Sequence, residues 1–297
     1  MIKLKIGYFA DGPWSHEALK RLRADSTLQI VFICARYDSF DPILEVMAKE
    51  LSIDFIVHPD INAEEFLHFI NKFNADLFVS MSFNQIFKKR LFSLPKLGTI
   101  NCHAGKLPFY RGRNILNWAL INDEKEFGVS VHYVDEGIDT GDIILQRCYP
   151  ISDADNYATL LEKAFEACAI NLYDAIKLIQ IGDVRVMRQK DINHFGTYCI
   201  ARKEGDERIN WTHNSRSIFN FVRAICYPGP QARTFFEDCE IKINGVQILQ
   251  EAPEYKGIAG SVISVESDGF FVKTFDSFIK VTDWSGYLKP RIGDRFK

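Results

Sequence analysis

The chain has 297 residues, and its 36 lysines and arginines against 39 aspartates and glutamates give a formal net charge of −3. This balance argues against a general polyanion-binding protein, because such a protein needs a strongly basic face to release counterions. With 47% hydrophobic and 13% aromatic residues the chain can fill a sizeable core, which excludes a disordered polymer. Its length corresponds to about two domains at roughly 150 residues per domain.

The sequence predicts a cytoplasmic protein. No apolar run approaches the roughly 18 residues that a membrane helix needs, so no membrane association is expected. The first residues form a strand pattern with two lysines rather than a secretory signal. The seven cysteines are odd in number and contain no CxxC pair, which argues against a disulfide framework and a cysteine zinc site. The histidines show no metal-ligand spacing, so no metal is predicted.

The first half of the chain alternates between strand-like and helix-like segments. Short apolar runs typical of strands buried on both faces occur at residues 4–10, 28–34, 54–57, 77–81 and 99–102. Between them, apolar residues with helical spacing run from Ser15, which is placed to cap a helix, to Leu22, and again over residues 43–51 and 63–73. This alternation predicts a parallel sheet with right-handed crossovers.

The chain changes character towards its C-terminal end. Strand-like runs at residues 128–134 and 143–146 flank an acidic loop, and a long helical segment from Tyr157 to Ile179 precedes Gly182. After a helical stretch at 218–224, β-like runs follow at residues 232–236, 241–249, 260–265, 269–274 and 278–282. The sequence therefore predicts an α/β fold with a Rossmann-like, mostly parallel sheet domain over residues 1–205. A smaller β-rich C-terminal domain is expected over residues 206–297, with a linker near 183–206.

Asn101 and His103 end a buried strand with one residue between them, so their side chains project from the same face. At the carboxyl end of a parallel strand they lie where open α/β sheets bind ligands. An imidazole there can act as a general base, and an amide can donate to an oxyanion on an attacked carbonyl. Further polar side chains follow closely in the sequence, at Lys106, Arg111, Arg113 and Asn114.

The loop at residues 135–142 holds four acids and two glycines. A carboxylate from this loop that meets His103 would orient the imidazole and favour its protonated form. An Asn-x-His pair alone is more often structural than catalytic, and an acidic loop can equally bind calcium or turn a hairpin, although this spacing does not match an EF-hand. Spacing alone therefore favours catalysis only slightly over a structural role.

Two residues beside these motifs are predicted to be structural. Cys102 lies between Asn101 and His103, and strand alternation turns its side chain into the fold, where it acts as a small buried hydrophobe. His132 lies in the middle of a strand, two residues after Ser130, and is predicted to be a packed or hydrogen-bonded histidine.

The motifs together resemble the signature of the folate-dependent formyltransferase family. The family pattern is Asn-x-His, then Leu-Pro-x-x-Arg-Gly, then an Asp-x-Gly loop after a Gly-x-x-x-His strand, and all parts occur in order between Asn101 and Gln146. The resemblance implies an enzyme that transfers a formyl group from N10-formyltetrahydrofolate, its co-substrate, to an amine. It implies that His103, supported by Asp139, takes the amine proton, while Asn101 and His103 stabilise the oxyanion.

The resemblance also implies where the folate binds. In the family the pterin occupies a pocket lined by the backbone of a strand-to-helix loop, here residues 81–87, and of the acidic loop, here residues 136–139. The residues implied to bind the folate are Met81, Phe83, Ile86, Glu136, Gly137 and Ile138.

Within the family, the chain resembles the branch that formylates amino groups on nucleotide-linked sugars, including the formyltransferase half of the bifunctional 4-amino-arabinose enzyme. The resemblance lies in R-G-R-N-I-L-N-W at 111–118, in Arg202 before Ile-Asn-Trp, and in V-R-A-I-C-Y-P-G-P-Q-A at 222–232. The Gly-Thr-Pro that follows the first strand in the methionyl-tRNA branch is absent, and tRNA binding would favour a basic protein. The expected acceptor is a nucleotide-linked amino sugar, by analogy a dTDP-4-amino-4,6-dideoxyhexose for O-antigen or other cell-surface polysaccharide, with no nucleic-acid partner.

Several alternatives stay open. The chain could be a methionyl-tRNA formyltransferase, or a non-catalytic module that binds folate or a nucleotide. Charge and resemblance suggest substrate contacts from Tyr8, Trp14, Lys106, Arg111, Arg113, Asn114 and Arg202. Arg202 is the first candidate for the diphosphate by resemblance, Arg111 is equally suited to bracing its own loop, and core packing suits the aromatic residues. The sequence does not identify the nucleotide or the position of the amine. By analogy the C-terminal domain could form a homodimer, but its apolar strand residues could equally form its own core, which is the default.

Overall fold

The computed structural model describes residues 3–286 and 289–297. Within this range the helices are α1 (Gly12–Arg23), α2 (Pro42–Leu51), α3 (Glu64–Asn71), α4 (Lys89–Phe92), α5 (Ile115–Ile121), α6 (Tyr157–Ile181), α7 (Gln189–Ile192) and α8 (Ser215–Ile225). The strands up to the acidic loop are β1 (Leu4–Ala10), β2 (Leu28–Ala35), β3 (Asp54–Val57), β4 (Leu77–Met81), β5 (Thr99–His103), β6 (Arg111–Gly112) and β7 (Glu126–Tyr133). The later strands are β8 (Ile143–Pro150), β9 (Tyr198–Cys199), β10 (Ala232–Phe236), β11 (Cys239–Gln247), β12 (Val262–Glu266), β13 (Gly269–Lys273) and β14 (Phe278–Ser285).

The chain divides into two compact units, each built from several stretches of sequence. The first unit holds the chain up to Arg113 together with Phe127–Tyr149 and Glu162–Cys199. The second unit holds Asn114–Glu126, Pro150–Leu161 and the chain from Ile200 onwards. The two units thus alternate along the sequence, whereas the prediction has a single boundary after residue 205.

The first unit is built on a seven-stranded sheet in the order β3-β2-β1-β4-β5-β7-β8. The strands from β3 to β5 are parallel, and β7 pairs antiparallel with β5. Strand β4 is buried along its whole length, as expected for an apolar strand covered on both faces. The predicted Rossmann-like, mostly parallel sheet is therefore confirmed, and the carboxyl ends of its parallel strands share one edge.

An aromatic cluster in the first unit is centred on Phe9 of β1. Its fully buried ring meets five others at centroid distances of 4.9–6.4 Å, those of Phe32, Phe66, Phe78, Phe83 and Phe87. The contacts are edge-on, which suits the charge distribution of aromatic rings. Gly7 is needed beside this cluster because a Cβ at that position would collide with the ring of Phe32.

The first helix begins earlier than the sequence suggests. α1 starts at Gly12, so Ser15 lies within the first turn rather than at the cap, and its hydroxyl donates to the Gly12 carbonyl at 2.8 Å. Pro13 occupies this turn, where its missing N–H costs no helical hydrogen bond. α2 does begin at a side-chain cap, because Asp41 accepts two backbone N–H bonds at 3.0 Å.

The second unit contains an antiparallel sheet in the order β10-β11-β14-β13-β12. The predicted smaller β-rich C-terminal domain is therefore confirmed. Arg216 of α8 binds the carboxylates of Asp123 and Asp153, and its hydrogen bond is the largest cause that lowers the pKa of Asp123, to about 2.

The segment predicted as a linker, residues 183–206, is in fact partly structured. It carries α7 and β9, and β9 pairs with β6. Both elements are too short to show a helical or strand period, so hydrophobic spacing could not reveal them. The same reason explains why α4 was not predicted.

The helices and the cysteines bear on the predictions about membranes and disulfides. In the part of the chain that the structure describes, the helices lack the combined length and apolar character that a membrane crossing needs. All seven cysteines are free thiols. Cys102 is buried and its thiol donates to the carbonyl of Cys168 at 3.6 Å, so it points into the fold as expected.

Candidate active site

Asn101 and His103 lie at the carboxyl end of β5, where the parallel part of the sheet ends. Their side chains share one face because strand residues two apart point the same way. His103 is 9% exposed and Asn101 is half-buried. The two side chains are therefore held in a largely desolvated place while still opening on the edge where α/β sheets bind ligands.

Asp139 lies in the acidic loop between β7 and β8, and its carboxylate points towards β5. Its Oδ2 accepts the N–H of Gly112 at 2.9 Å and lies 3.7 Å from Nδ1 of His103. Its Oδ1 lies 3.4 Å from Nδ2 of Asn101. The structure thus brings together the three side chains predicted to be catalytic.

The carboxyl of Asp139 is held in its charged form. Burial raises its pKa, but the contacts with His103 and His132 and the N–H of Gly112 lower it by more, so the pKa lies well below its ordinary range. The carboxylate is therefore ionised at neutral pH, and it can stabilise a proton on a neighbouring imidazole.

The ring of His103 has a defined tautomer. Its Nε2 lies 2.7 Å from the carbonyl oxygen of Tyr110, and because a carbonyl only accepts, we assign the proton of the neutral ring to Nε2. The lone pair then lies on Nδ1, which faces Asp139. Gly105 makes this contact possible, since a Cβ there would collide with the His103 ring and the Tyr110 carbonyl.

His132 is the buried, hydrogen-bonded histidine that the sequence predicted, and the structure also places it beside Asn101 and Asp139. It is opposite Asn101 in the β5–β7 register, and its Nε2 lies 3.3 Å from Asn101 Nδ2 and 3.5 Å from Asp139 Oδ1. Its Nδ1 donates to the carbonyl of Tyr133 at 2.8 Å, so Nε2 accepts from Asn101. The signal for this role was the Gly-x-x-x-His strand beside Asn101, but it becomes readable only once the strand register is known.

The two segments expected to line the folate pocket lie within reach of one another. Lys89, which begins α4 after the first segment, is 3.4 Å from the carboxylate of Glu136 in the second. Ile86 is 63% exposed and Ile138 is 51% exposed, so both side chains present apolar surface to solvent.

The other residues in these two segments differ in what they can offer. Met81 is 1% exposed, so its side chain is part of the core, and its carbonyl accepts the N–H of Asp11 at 3.2 Å. Phe83 packs on Phe9 and Phe87 at centroid distances of 5.6 and 6.0 Å. Gly137 sits so close to Thr140 that a Cβ would collide with its hydroxyl, which keeps the acidic loop tight.

The aromatic residues proposed to stack on substrate have internal contacts. Tyr8 is fully buried and its hydroxyl donates to the carbonyl of Ser15 at 2.9 Å, so no part of its ring is free to stack on a ligand. Trp14 is half-buried and packs edge-on against Phe165 at 4.6 Å. Core packing accounts for Tyr8, and the expectation that it contacts substrate is corrected on this ground.

Arg111 braces its own surroundings. Its Nε and Nη2 donate to Gln189 Oε1 at 3.0 and 2.7 Å, and its guanidinium lies over the ring of Tyr198 at 5.4 Å. Of the two roles considered for Arg111, the structure therefore supports the structural one. Lys106 and Arg113 are exposed, and the backbone N–H of Arg113 donates to the Cys199 carbonyl at 3.0 Å.

A small basic cavity adjoins the acidic loop. It has a volume of about 190 Å³ and is lined by Thr140 and Asp142 from that loop. Four basic side chains also line it, those of Arg111, Arg188, Lys190 and His194. Asp191 binds Arg188 at 2.7 Å, so Asp142 and Asp191 offset two of the three fixed charges of Arg111, Arg188 and Lys190 and leave a small local excess of positive charge.

In the second unit, Asn114 and Arg202 are connected. The backbone N–H of Arg202 donates to Asn114 Oδ1 at 3.2 Å. The guanidinium atoms Nε and Nη1 of Arg202 are buried without a hydrogen-bond partner, and burial lowers the pKa of this group. A buried donor pair without an acceptor is costly, which makes Arg202 a candidate to receive an anionic ligand.

Within residues 3–286 and 289–297, nowhere do three or more histidine, cysteine, aspartate or glutamate side chains converge in a way that could hold a metal ion.

Comparison with known proteins gives a consistent family. The formyl transferase family matches residues 11–176, and the formyl transferase C-terminal domain matches residues 202–286. A methionyl-tRNA formyltransferase of Thermodesulfovibrio yellowstonii is 34% identical over 209 residues, which is 70% of this chain and 67% of that protein. One of Halalkalibacterium halodurans is 34% identical over 252 residues, which is 84% of this chain and 78% of that protein.

A solved structure is also similar over nearly the whole chain. It is that of WlaRD, a sugar 3N-formyl transferase in the presence of dTDP and 5-N-formyl-THF, with a TM-score of 0.72 and 23% identity. The match covers 97% of this chain and 99% of that one. At this level of identity the likeness establishes the fold alone.

These relatives overturn the predicted acceptor. The expectation of a nucleotide-linked amino sugar, and with it a role in O-antigen synthesis, is wrong, because relatives at 34% identity over most of the chain are methionyl-tRNA formyltransferases. Their names also conflict with the expectation of no nucleic-acid partner. Since the first family match alone spans more than half of the chain, the chain belongs to the formyl transferase family and is an N10-formyltetrahydrofolate-dependent formyltransferase.

Proposed function

We propose that this enzyme transfers the formyl group of N10-formyltetrahydrofolate to the amino group of methionyl-tRNA. The observation that carries the chemistry is the convergence of Asn101, His103 and Asp139 at the edge of the sheet. The observation that carries the acceptor is the identity with methionyl-tRNA formyltransferases over 70–84% of the chain.

The three side chains suit attack by an amine on a formyl carbon. The amine nitrogen forms a bond to that carbon, the bond from the carbon to N10 of the folate breaks, and the proton lost by the amine replaces the formyl group on N10. His103 is placed to move this proton, because Nδ1 carries its lone pair and Nε2 is committed to Tyr110. Asp139, 3.7 Å from Nδ1, stabilises the imidazolium that forms.

Asn101 is suited to stabilise the oxygen that becomes negative during attack. Its amide donors meet His132 and Asp139 only at 3.3 and 3.4 Å, which are long for hydrogen bonds. A developing oxyanion offers a stronger acceptor than either of these partners. The contact with His132 then keeps the amide oriented while the charge develops.

We assign the folate to the two segments on either side of the Lys89–Glu136 contact. The chemistry it supplies when bound is an activated formyl group. The exposed faces of Ile86 and Ile138 would cover its ring, and backbone groups of the tight acidic loop at Glu136 and Gly137 would bond its polar edge.

Two features support an RNA acceptor despite the net charge of −3. One is the basic cavity beside the acidic loop, and the other is the unpaired buried guanidinium of Arg202. Phosphate contacts depend on local charge at the binding surface, so a chain of negative net charge can still bind RNA where arginine and lysine cluster. Net charge was therefore too coarse a ground on which to exclude nucleic acid.

The test is formylation of a charged tRNA. Purified enzyme is mixed with N10-formyltetrahydrofolate and initiator methionyl-tRNA, and both formylmethionyl-tRNA and tetrahydrofolate are measured. We expect equal amounts of the two products, loss of both in His103→Ala, and unchanged rates in His68→Ala, which removes an exposed histidine far from the motifs in sequence. Release of tetrahydrofolate with another amine but none with methionyl-tRNA would refute the acceptor and retain the chemistry.

A further inference from the structure

Gln189 is a buried side chain whose contacts the proposed reaction does not yet explain. It is 3% exposed and begins α7, in the segment that the sequence suggested was a linker. Its Oε1 accepts two bonds from Arg111, and its Nε2 donates to the backbone carbonyls of Asp139 and Gly141, both at 2.8 Å. These four bonds use the full capacity of a side-chain amide.

The orientation of this amide is determined by its partners. Arg111 offers only donors, and the two backbone carbonyls offer only acceptors, so the amide oxygen must face the arginine and the nitrogen must face the loop. Gln189 therefore joins two stretches of chain. It bonds Arg111 in the stretch that follows β5, and it bonds the acidic loop that carries Asp139. Both stretches also meet directly, where the N–H of Gly112 donates to the carboxylate of Asp139 at 2.9 Å.

Asp139 needs such support because of its backbone conformation. Its φ is +54°, in the left-handed region that residues with a side chain adopt only where the surroundings enforce it. The Gln189 bond holds its carbonyl from one side and the Gly112 bond holds its carboxylate from the other. Without the first bond, the loop can relax to a conformation in which the carboxylate no longer faces His103.

We propose that Gln189 is a positioning residue for formyl transfer, which holds the backbone of Asp139 so that its carboxylate faces Nδ1 of His103. Gln189 does not touch the reacting atoms. The inference rests on the proposed function to the extent that Asp139 and His103 are taken as catalytic.

Two variants distinguish the hydrogen bonds to Arg111 from those to the acidic loop. Gln189→Leu removes all four hydrogen bonds, whereas Gln189→Glu keeps an acceptor for Arg111 but places an oxygen against the two carbonyl oxygens of the loop. For both variants we expect kcat per folate-binding site to fall about 100-fold, which is the order of loss that a misplaced catalytic group produces. We expect KM for the folate to stay within about threefold, because Gln189 lies outside the two segments assigned to the folate.

The matched control is Gln180→Leu. Gln180 is another side-chain amide of the first unit, half-buried rather than buried, and it bonds Lys177 and Thr27. Its loss should lower stability and leave kcat per site unchanged. Unchanged kcat per site in folded Gln189→Leu would overturn the proposal, since a merely structural role reduces only the amount of active enzyme.

A second measurement does not depend on the acceptor. The Asp139 carboxyl is followed by carbon-13 NMR during an acid titration, with Asp139→Asn to assign the signal. We expect the carboxyl to stay ionised well below the ordinary range in the native enzyme and to titrate at higher pH in Gln189→Leu. Identical titrations would overturn the proposal, whereas a failure of the native enzyme to formylate methionyl-tRNA would refute only the proposed acceptor.

Discussion

Replacing Asp139 by asparagine tests the electrostatic core of the site. The asparagine side chain has nearly the same shape, and its oxygen can still accept the N–H of Gly112, which now bonds the carboxylate at 2.9 Å. What the substitution removes is the negative charge beside His103. The variant should therefore fold normally, since it also relieves the cost of burying a charge.

The expected loss follows from the distance between the charges. A carboxylate and an imidazolium 3.7 Å apart interact by about 4 kcal/mol at an effective dielectric constant of about 20. If His103 carries the proton in the transition state, removing this interaction raises the barrier by a similar amount, which corresponds to a rate about 10³-fold lower. The binding of folate and of the acceptor should change little, because the charge acts on the protonated ring.

The assay is a single-turnover formyl transfer at saturating concentrations of both substrates, with circular dichroism and the unfolding midpoint to check the fold. Asp135→Asn is the matched control in the same loop: its amide oxygen can accept the same bonds from Gly137 and Thr140 that the carboxylate accepts. It should stay within about threefold of the native rate. A loss below tenfold in a folded Asp139→Asn variant would refute the reasoning that this charge stabilises the imidazolium.

Three further outcomes are expected. Gly105→Ala places a methyl group against the His103 ring, so kcat should fall about 100-fold with the secondary structure retained. Asp123→Asn removes one of the two carboxylates that Arg216 binds. Because the folded pKa of Asp123 is depressed from 3.8 to about 2, the lost stability should be constant at neutral pH and should shrink as the pH falls from 4 towards 2 in urea titrations. Phe9→Ala empties the centre of the aromatic cluster and should lower the free energy of unfolding by about 3–5 kcal/mol in the same titrations.

Each of these outcomes can fail in a recognisable way. Native turnover by Gly105→Ala would show that the His103 ring need not lie where the structure places it. A stability difference for Asp123→Asn that persists unchanged at pH 3 would mean that its charge does not stabilise the fold. A cost below about 1 kcal/mol for Phe9→Ala would show that the cluster repacks around the missing ring.

The sequence predicted most of the fold because its strands are apolar and its helices have regular spacing. The run at residues 77–81 became β4, which is buried throughout, and the run at 232–236 became β10 with the same bounds. Alternation along the predicted strand that became β5 also placed Asn101 and His103 on one face. The two-residue strands β6 and β9 could not be predicted, because they are defined only by pairing between distant segments.

Residues close together in the sequence, such as Asn101 and His103, could be predicted to share the site. Residues that reach the site through strand pairing or from a distant segment could not be predicted. His132 faces Asn101 only because β7 pairs antiparallel with β5 in one particular register. Gln189 reaches Asp139 from a segment 50 positions away. Neither contact leaves a periodic signal in the chain, so the sequence did not connect His132 with Asn101, and it placed Gln189 in a linker.

The acceptor was misjudged for a related reason. The run at residues 111–118 pointed to a nucleotide-sugar branch, but its side chains serve the fold. Arg111 bonds Gln189, Asn117 donates to the carbonyl of Ala224 at 2.5 Å, and Trp118 donates to the carbonyl of Ile200 at 3.1 Å. Related enzymes that act on different acceptors can share the residues that stabilise their common fold. Sequence similarity at such positions is therefore a poor guide to the substrate.

The alternation of the two units along the sequence has a consequence for exchanging parts between related enzymes. A hybrid joined once, near residue 200, would carry residues 114–126 and 150–161 from the wrong parent into the second unit. A workable exchange needs three coordinated replacements, those two segments together with the chain from Ile200 onwards. The junctions on either side of 127–149 must be preserved, because that stretch supplies His132 and Asp139 to the other unit. Recombination by simple end-to-end swapping is therefore disfavoured in this architecture.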